Sequence, residues 1–296
     1  MIKQFAIDPN AIGDWERLRY FADHTGVSRG RVIVRFPGNW EERVNKVLGR
    51  MTSNQQDDNL RKRIEVKLHK LKFGRRFVDR EGFEFDESGW LENALVEHGR
   101  QNFCAIVAET NPTQNAAVIR ADALDGDEPP WKAETCITID RNPEQFAKVV
   151  APLLHVSREV LLIDPHFQPF KADLRSVLRA IAREISPKTR FVYHFCSENC
   201  PGPKEQWIKD AEKWLVPLVP KDLKLELIEW PFRRFHNRFV LTDLGGMNFP
   251  HGLSDDENSE PIDEVTLLSD ESYEKRWRMF DVDRKPKHVV TGKFQW

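Results

Sequence analysis

Val160-Leu161-Leu162-Ile163 is an unbroken apolar run that stops at Asp164-Pro165. It is too short for a helix of its own and has no polar alternation. It therefore reads as a strand buried on both faces, which requires helices above and below the sheet. The flanking sequence supplies them. Asn142-Pro143 is a cap followed by a helix-starting proline, and Phe146, Val149, Val150, Leu153 and Leu154 follow at helical spacing, with Pro152 expected to kink or split the helix. Leu174, Val177, Leu178, Ile181 and Ile185 trace a second helix, and Trp207, Ile208, Ala211, Trp214 and Leu215 a third. Strands are expected at 137–139, 191–195, 223–227, 238–242 and 264–268, with a closing helix over 270–280. Strands alternating with helices make an α/β layer structure over residues 131–296.

Residues 1–130 read as a smaller α/β accessory region. Helices are expected over 10–24, 39–51, 57–72 and 89–99, and strands over 31–36 and 104–108. The run Asp125-Gly126-Asp127-Glu128-Pro129-Pro130 breaks structure and marks the boundary. The 57–72 helix carries Leu60, Ile64, Leu68 and Leu71 as its apolar stripe and Arg61, Arg63, Lys67, Lys70 and Lys72 on the other faces, with Arg75 and Arg76 just beyond. From Leu60 to Arg80 there are nine Lys/Arg against two acids, an imbalance hidden by the net charge of −2. Such a one-signed face is either a solvated surface or a contact for a phosphate backbone, and Arg61, Arg63, Lys67, Lys70, Arg75 and Arg76 are the nucleic-acid-binding candidates. Between Ser254 and Glu271 the imbalance reverses to eight acids and no Lys/Arg, and Asp255–Glu264 is expected to be a mobile loop whose charge competes with a bound backbone. No apolar run suits a membrane span and no signal peptide is evident. Four cysteines make no disulfide framework, so a reducing cytoplasm is the expected setting.

The chemistry-bearing stretch is Phe235-His236-Asn237-Arg238, followed by an apolar strand, Asp243 and an expected Gly245-Gly246 turn that ends it. Strand alternation puts His236 and Arg238 on one side, where the guanidinium can hold phosphate oxygens while the imidazole attacks phosphorus. Asp164, at the end of the apolar strand, is placed to orient an imidazole or a water. His166 follows into the same cleft, and Arg233 and Arg234 are candidates for the cleft mouth. His194, Cys196 and Cys200 form H-x-C-x3-C but have no evident fourth ligand, so no metal and no cofactor is expected.

His236, Arg238 and Asp243 form H-x-R-x4-D, which resembles the H-x-K-x4-D signature of the phospholipase D superfamily. Gly252-Leu253-Ser254 echoes the family's Gly-Ser element and nominates Ser254 as substrate-binding. The resemblance implies a mixed sheet flanked by helices and metal-independent phosphodiester chemistry. It also implies His236 as nucleophile, Arg238 as clamp and Asp243 as the group that orients the site. Arg238 stands where the family has lysine. Arginine versions with an Asp-Pro-aromatic strand end are similar to the phospholipase D-like domain at the C-terminus of some microtubule-interacting-and-transport proteins, which bind rather than cut. A single motif implies a homodimer if the chain is active, and the family setting suggests a nuclease in prokaryotic defence. Three readings stay open: a nuclease acting through a phosphohistidine, a catalytically silent module binding nucleic acid or a partner protein, and a lipid phosphodiesterase.

Overall fold

The computed structural model describes residues 1–296 apart from 53–57, 74, 81, 125, 197–202, 231–235, 256–260, 281–288 and 292–296. The chain divides into two units, Met1–Glu134 and Thr135–Trp296, each an α/β layer structure.

The first unit is built on parallel strands β1 (Lys3–Ile7), β2 (Arg31–Val34), β3 (Phe77–Val78), β4 (Ala105–Ala108) and β5 (Val118–Arg120). Their order is β3-β2-β1-β4-β5, so β1, which the sequence patterns above do not include, is the central strand. Alternate residues of the sheet, Phe5, Ile7, Ile33, Ala105 and Val107, share one core cluster with Leu18, Phe21, Trp40, Val44, Leu48, Ile64 and Leu71. Those partners come from α1 (Trp15–His24), α2 (Trp40–Thr52) and α3 (Asp58–Phe73). The expected 10–24 helix is divided: Pro9–Ile12 forms a 3-10 turn, and Asp14 then caps α1 by accepting from the Arg17 N–H at 2.8 Å. A fourth helix, α4 (Trp90–Arg100), precedes β4. The 125–130 run does not simply release the chain, because it leads directly into Trp131, a fully buried residue of the same core.

The second unit contains an eight-stranded mixed sheet in the order β13-β9-β8-β7-β10-β11-β12-β6. The strands are β6 (Cys136–Asp140), β7 (Glu159–Ile163), β8 (Arg190–Cys196), β9 (Leu225–Trp230), β10 (Phe239–Thr242), β11 (Gly245–Asn248), β12 (Ile262–Leu267) and β13 (Val289–Thr291). β7, β8 and β9 are parallel, and β10 lies antiparallel on the other side of β7. Helices α5 (Pro143–Leu154), α6 (Ala172–Arg183), α7 (Lys204–Leu215) and α8 (Asp270–Phe280) complete the layers. α5 is not split, because Pro152 falls in its last turn. Leu161, Ile163, Val192, Ile228, Phe239 and Leu241 cluster with Tyr273 and Phe280 of α8. Among the described residues no helix is long and apolar enough to cross a membrane.

Two local expectations need correction. Gly245-Gly246 is not the turn after the motif strand; it opens β11, and Thr242 pairs with Gly245 around Asp243-Leu244. Gly246 packs closely: a Cβ there would press on the Leu241 and Leu268 side chains and the Val240 carbonyl, which would have to shift. The acidic segment is not one loose loop either. Asp255 accepts from Ser176 Oγ at 2.7 Å, and Ile262, Asp263 and Glu264 belong to β12; residues 256–260 lie outside the described residues.

His194 on β8 is fully buried, and its Nδ1 accepts from Trp230 Nε1 at 2.8 Å. Burial, followed by the charge of Arg190, lowers its pKa to about 3. Because the folded value is depressed below the unfolded one, the fold loses stability as pH falls from about 6.5 toward 3, where the loss is complete. Replacing His194 by Phe is expected to flatten the fall by up to about 1.4 kcal/mol per pH unit in that window. Urea midpoints taken between pH 6 and pH 4 measure it, and identical slopes in the two proteins would refute it.

Candidate functional site

β7 ends where β10 begins, with Ile163 opposite Phe239. The next residue on each side, Asp164 after β7 and Arg238 before β10, therefore meet across the pair, with Arg238 Nε 3.8 Å from Asp164 Oδ1. This is also where the topology reverses: the chain lays down β7, β8 and β9 outward, then returns to the far side of β7 as β10. Clefts at the carboxyl ends of parallel strands form at such points.

The Asp164 carboxylate is buried and accepts the backbone N–H of His166 at 2.8 Å and that of Leu253. Desolvation pushes its pKa up, against the His166 hydrogen bond and the charge of Arg238. Arg238 is about a quarter exposed, and its Nη1 donates to the Pro250 carbonyl at 3.3 Å. Among the described residues its buried Nε has no hydrogen-bond partner. The loop carrying Pro250 is shaped by Gly252, whose φ of +98° only glycine adopts readily and which lies beside the Arg238 side chain.

His166 reaches solvent beside this pair. Partial burial and then the charge of Arg238 lower its pKa, Asp164 opposes them, and His236 lowers it further. Asp164, His166, His236 and Arg238 are thus within one electrostatic neighbourhood. His236 itself is exposed and lies just before β10, outside the strand.

Other candidates lie elsewhere. Asp243 is at the opposite end of β10, where its Oδ1 accepts the backbone N–H groups of Arg158 and Glu159 at 3.0 and 3.2 Å. It fastens the start of β7 and does not orient His236, because a four-residue strand separates it from Arg238. Ser254 Oγ accepts from Arg141 Nη2 at 2.9 Å, and the same nitrogen reaches the carbonyls of His251 and Ser254. Arg141 therefore secures the loop over Arg238, a role that no local sequence signal marked. Arg233 and Arg234 lie outside the described residues. His194 Nδ1 accepts from Trp230 Nε1, and Cys200 lies outside the described residues.

The basic helix is α3, and much of its charge is engaged within the first unit. Arg63 stacks over Trp15 at 4.6 Å, Lys67 pairs with Asp23 at 2.5 Å, and Arg76 Nε donates to the Ala22 carbonyl at 3.1 Å. Those contacts hold α1 against α3. Arg61 pairs with Glu65 one turn on, at 3.4 Å. Arg75 sits at φ 51° just after the helix, and the side chain of Lys70 lies outside the described residues.

No family model and no curated protein matches the chain. Among solved structures it is similar to TrmBL2, an archaeal chromatin protein with a novel mode of DNA binding, at 14% identity and a TM-score of 0.27 over 55% of this chain and 57% of that one. It is also similar to phosphatidylserine synthase of Haemophilus influenzae, at 8% identity and a TM-score of 0.30 over 55% of this chain and 46% of that one. The chain thus spans about half the length of these structures. Scores of this size mark distant likenesses and carry no weight for fold or chemistry.

Proposed function

We propose that the second unit is a phospholipase D-like phosphodiesterase module that acts on nucleic acid without a metal ion. The observation that carries this reading is the convergence of Arg238, Asp164, His166 and His236 where β7 meets β10. In it Arg238 binds the non-bridging oxygens and Asp164 holds the guanidinium from behind. His236, the exposed imidazole, attacks phosphorus and forms a phosphohistidine as the P–O bond to the leaving oxygen breaks and that oxygen takes a proton from solvent water. His166, kept neutral by its surroundings, is the second imidazole at hand to take a proton from the water that cleaves the intermediate. A homodimer is the alternative source of a second histidine, through another copy of His236. The α3 charge not engaged with α1, on the exposed Arg61 and Lys62, favours nucleic acid over lipid, and a prokaryotic defence setting is consistent with a nuclease of this type.

The silent binding module is the second reading, favoured by arginine in place of the family's lysine. Rapid quench of the full chain with phosphate-labelled DNA or RNA in EDTA separates the two. The phosphodiesterase reading expects acid-labile label on His236. Bound but never covalently attached substrate supports the silent module.

A further inference from the structure

We propose that the first unit holds a separate ligand site, beside the carboxyl end of β1, for a small phosphorylated molecule that also bears hydroxyl groups. The sheet order β3-β2-β1-β4-β5 with every pair parallel makes this the point where the chain stops adding strands on one side and starts on the other. In open parallel sheets ligands lie outside the carboxyl ends of the strands at that reversal. A cavity of about 170 Å³ is found beside the end of β1, lined by Asp8, Arg43, Lys46, Val47, Arg50 and Trp90 among others. It has room for a phosphate and part of a sugar, with the remainder in open solvent.

Its polar groups divide into two kinds. Arg43, Lys46 and Arg50 lie on α2 at spacings of three and four residues, so one face of the helix presents three cations to the cavity. Arg43 is already held in place: its Nε donates to Asn39 Oδ1 at 3.2 Å, and its guanidinium lies 4.5 Å over the Phe85 ring. A preordered guanidinium with two further cations suits a phosphate. Opposite them stands Asp8, directly after β1 and buried, with Oδ1 accepting the Asn10 N–H at 2.9 Å. Burial pushes its pKa up, and Glu109, directly after β4, adds to the effect while Arg43 opposes it. A carboxylate is a poor neighbour for a phosphate but a good acceptor for a hydroxyl a few ångströms away from it. The pairing of cation row and carboxylate therefore selects a sugar phosphate or nucleotide over a bare anion. Neither His236 nor Arg238 takes part, so this site stands independently of the phosphodiesterase reading.

The test is calorimetric titration of the full chain with AMP, ribose 5-phosphate and inorganic phosphate. The two sugar phosphates are expected to bind saturably and at least about tenfold more tightly than inorganic phosphate. The double variant Lys46→Glu/Arg50→Glu, on an exposed helix face, is expected to lose at least about tenfold in affinity for all three with an unchanged Tm. Asp8→Asn keeps an acceptor for Asn10 and removes the buried charge. It should weaken the sugar phosphates toward inorganic phosphate while raising Tm at pH 7. No saturable binding of any probe at millimolar concentration overturns the site, as does affinity indifferent to the double reversal. Equal affinity for inorganic phosphate and the sugar phosphates overturns the role given to Asp8.

Discussion

Replacing His236 by alanine is expected to cut phosphodiester turnover by at least about 10³-fold while leaving substrate affinity nearly unchanged. The asymmetry follows from placement. His236 is exposed at the mouth of the site and would contact phosphorus mainly as the new bond forms, so its loss falls on kcat. Arg238 behaves differently. It lies beside the buried Asp164, and under the phosphodiesterase reading its charge would be needed in both ground and transition states. Arg238→Ala should therefore weaken binding and turnover together, and it also strands a buried carboxylate. Arg238→Lys keeps the charge but loses the planar fork that reaches the Pro250 carbonyl. Turnover within about tenfold of wild type is expected if the arginine merely stands in for lysine. Steady-state kinetics on a single-stranded oligonucleotide reads all three. Undiminished kcat in His236→Ala would move the nucleophile elsewhere, with His166 the first residue to examine.

Trp131→Ala is expected to destabilise the first unit by about 3–5 kcal/mol, the range for deleting a large buried aromatic. Trp131 has no exposed surface and lies 4.7 Å from the Phe5 ring and 5.9 Å from the Phe21 ring. The Arg31 guanidinium covers it at 5.3 Å, while Arg31 Nε donates to its carbonyl at 2.6 Å. One substitution therefore opens a cavity against the central strand and removes a cation's aromatic partner. Trp131→Phe should recover more than half of the loss. Chemical denaturation followed by far-UV circular dichroism measures both, and a loss below about 1 kcal/mol would show that the site collapses around the smaller residue.

Trp131 also illustrates what the sequence showed and what it concealed. Asp125–Pro130 has the composition of a break, and local composition carries no information about an aromatic that returns to a core far away in sequence. The central strand β1 was concealed for a related reason. Lys3-Gln4-Phe5-Ala6-Ile7 is short and half polar, and it is a strand because β2 and β4 flank it, which only the assembled sheet reveals. β7 was legible because Val160–Ile163 is apolar on every residue, and its abrupt end marked Asp164. The convergence of Asp164, His166, His236 and Arg238 was legible in part, because strand ends gather polar residues. The position of Asp243 was not. Spacing alone does not say that a strand's far end points away from its near end's chemistry until the length of β10 is known.

The neighbours that create the candidate site are made at different times. Asp164 and His166 emerge early, and the chain then builds α6, β8, α7 and β9 before β10 brings Arg238 to the other side of β7. That pairing is of high contact order, and its loop-closure entropy is offset only when β10 docks. At this site, a partly synthesised or partly folded chain therefore has the Asp164 carboxylate and the His166 imidazole but not yet the Arg238 guanidinium. Under the phosphodiesterase reading, hydrolysis would begin only with insertion of β10.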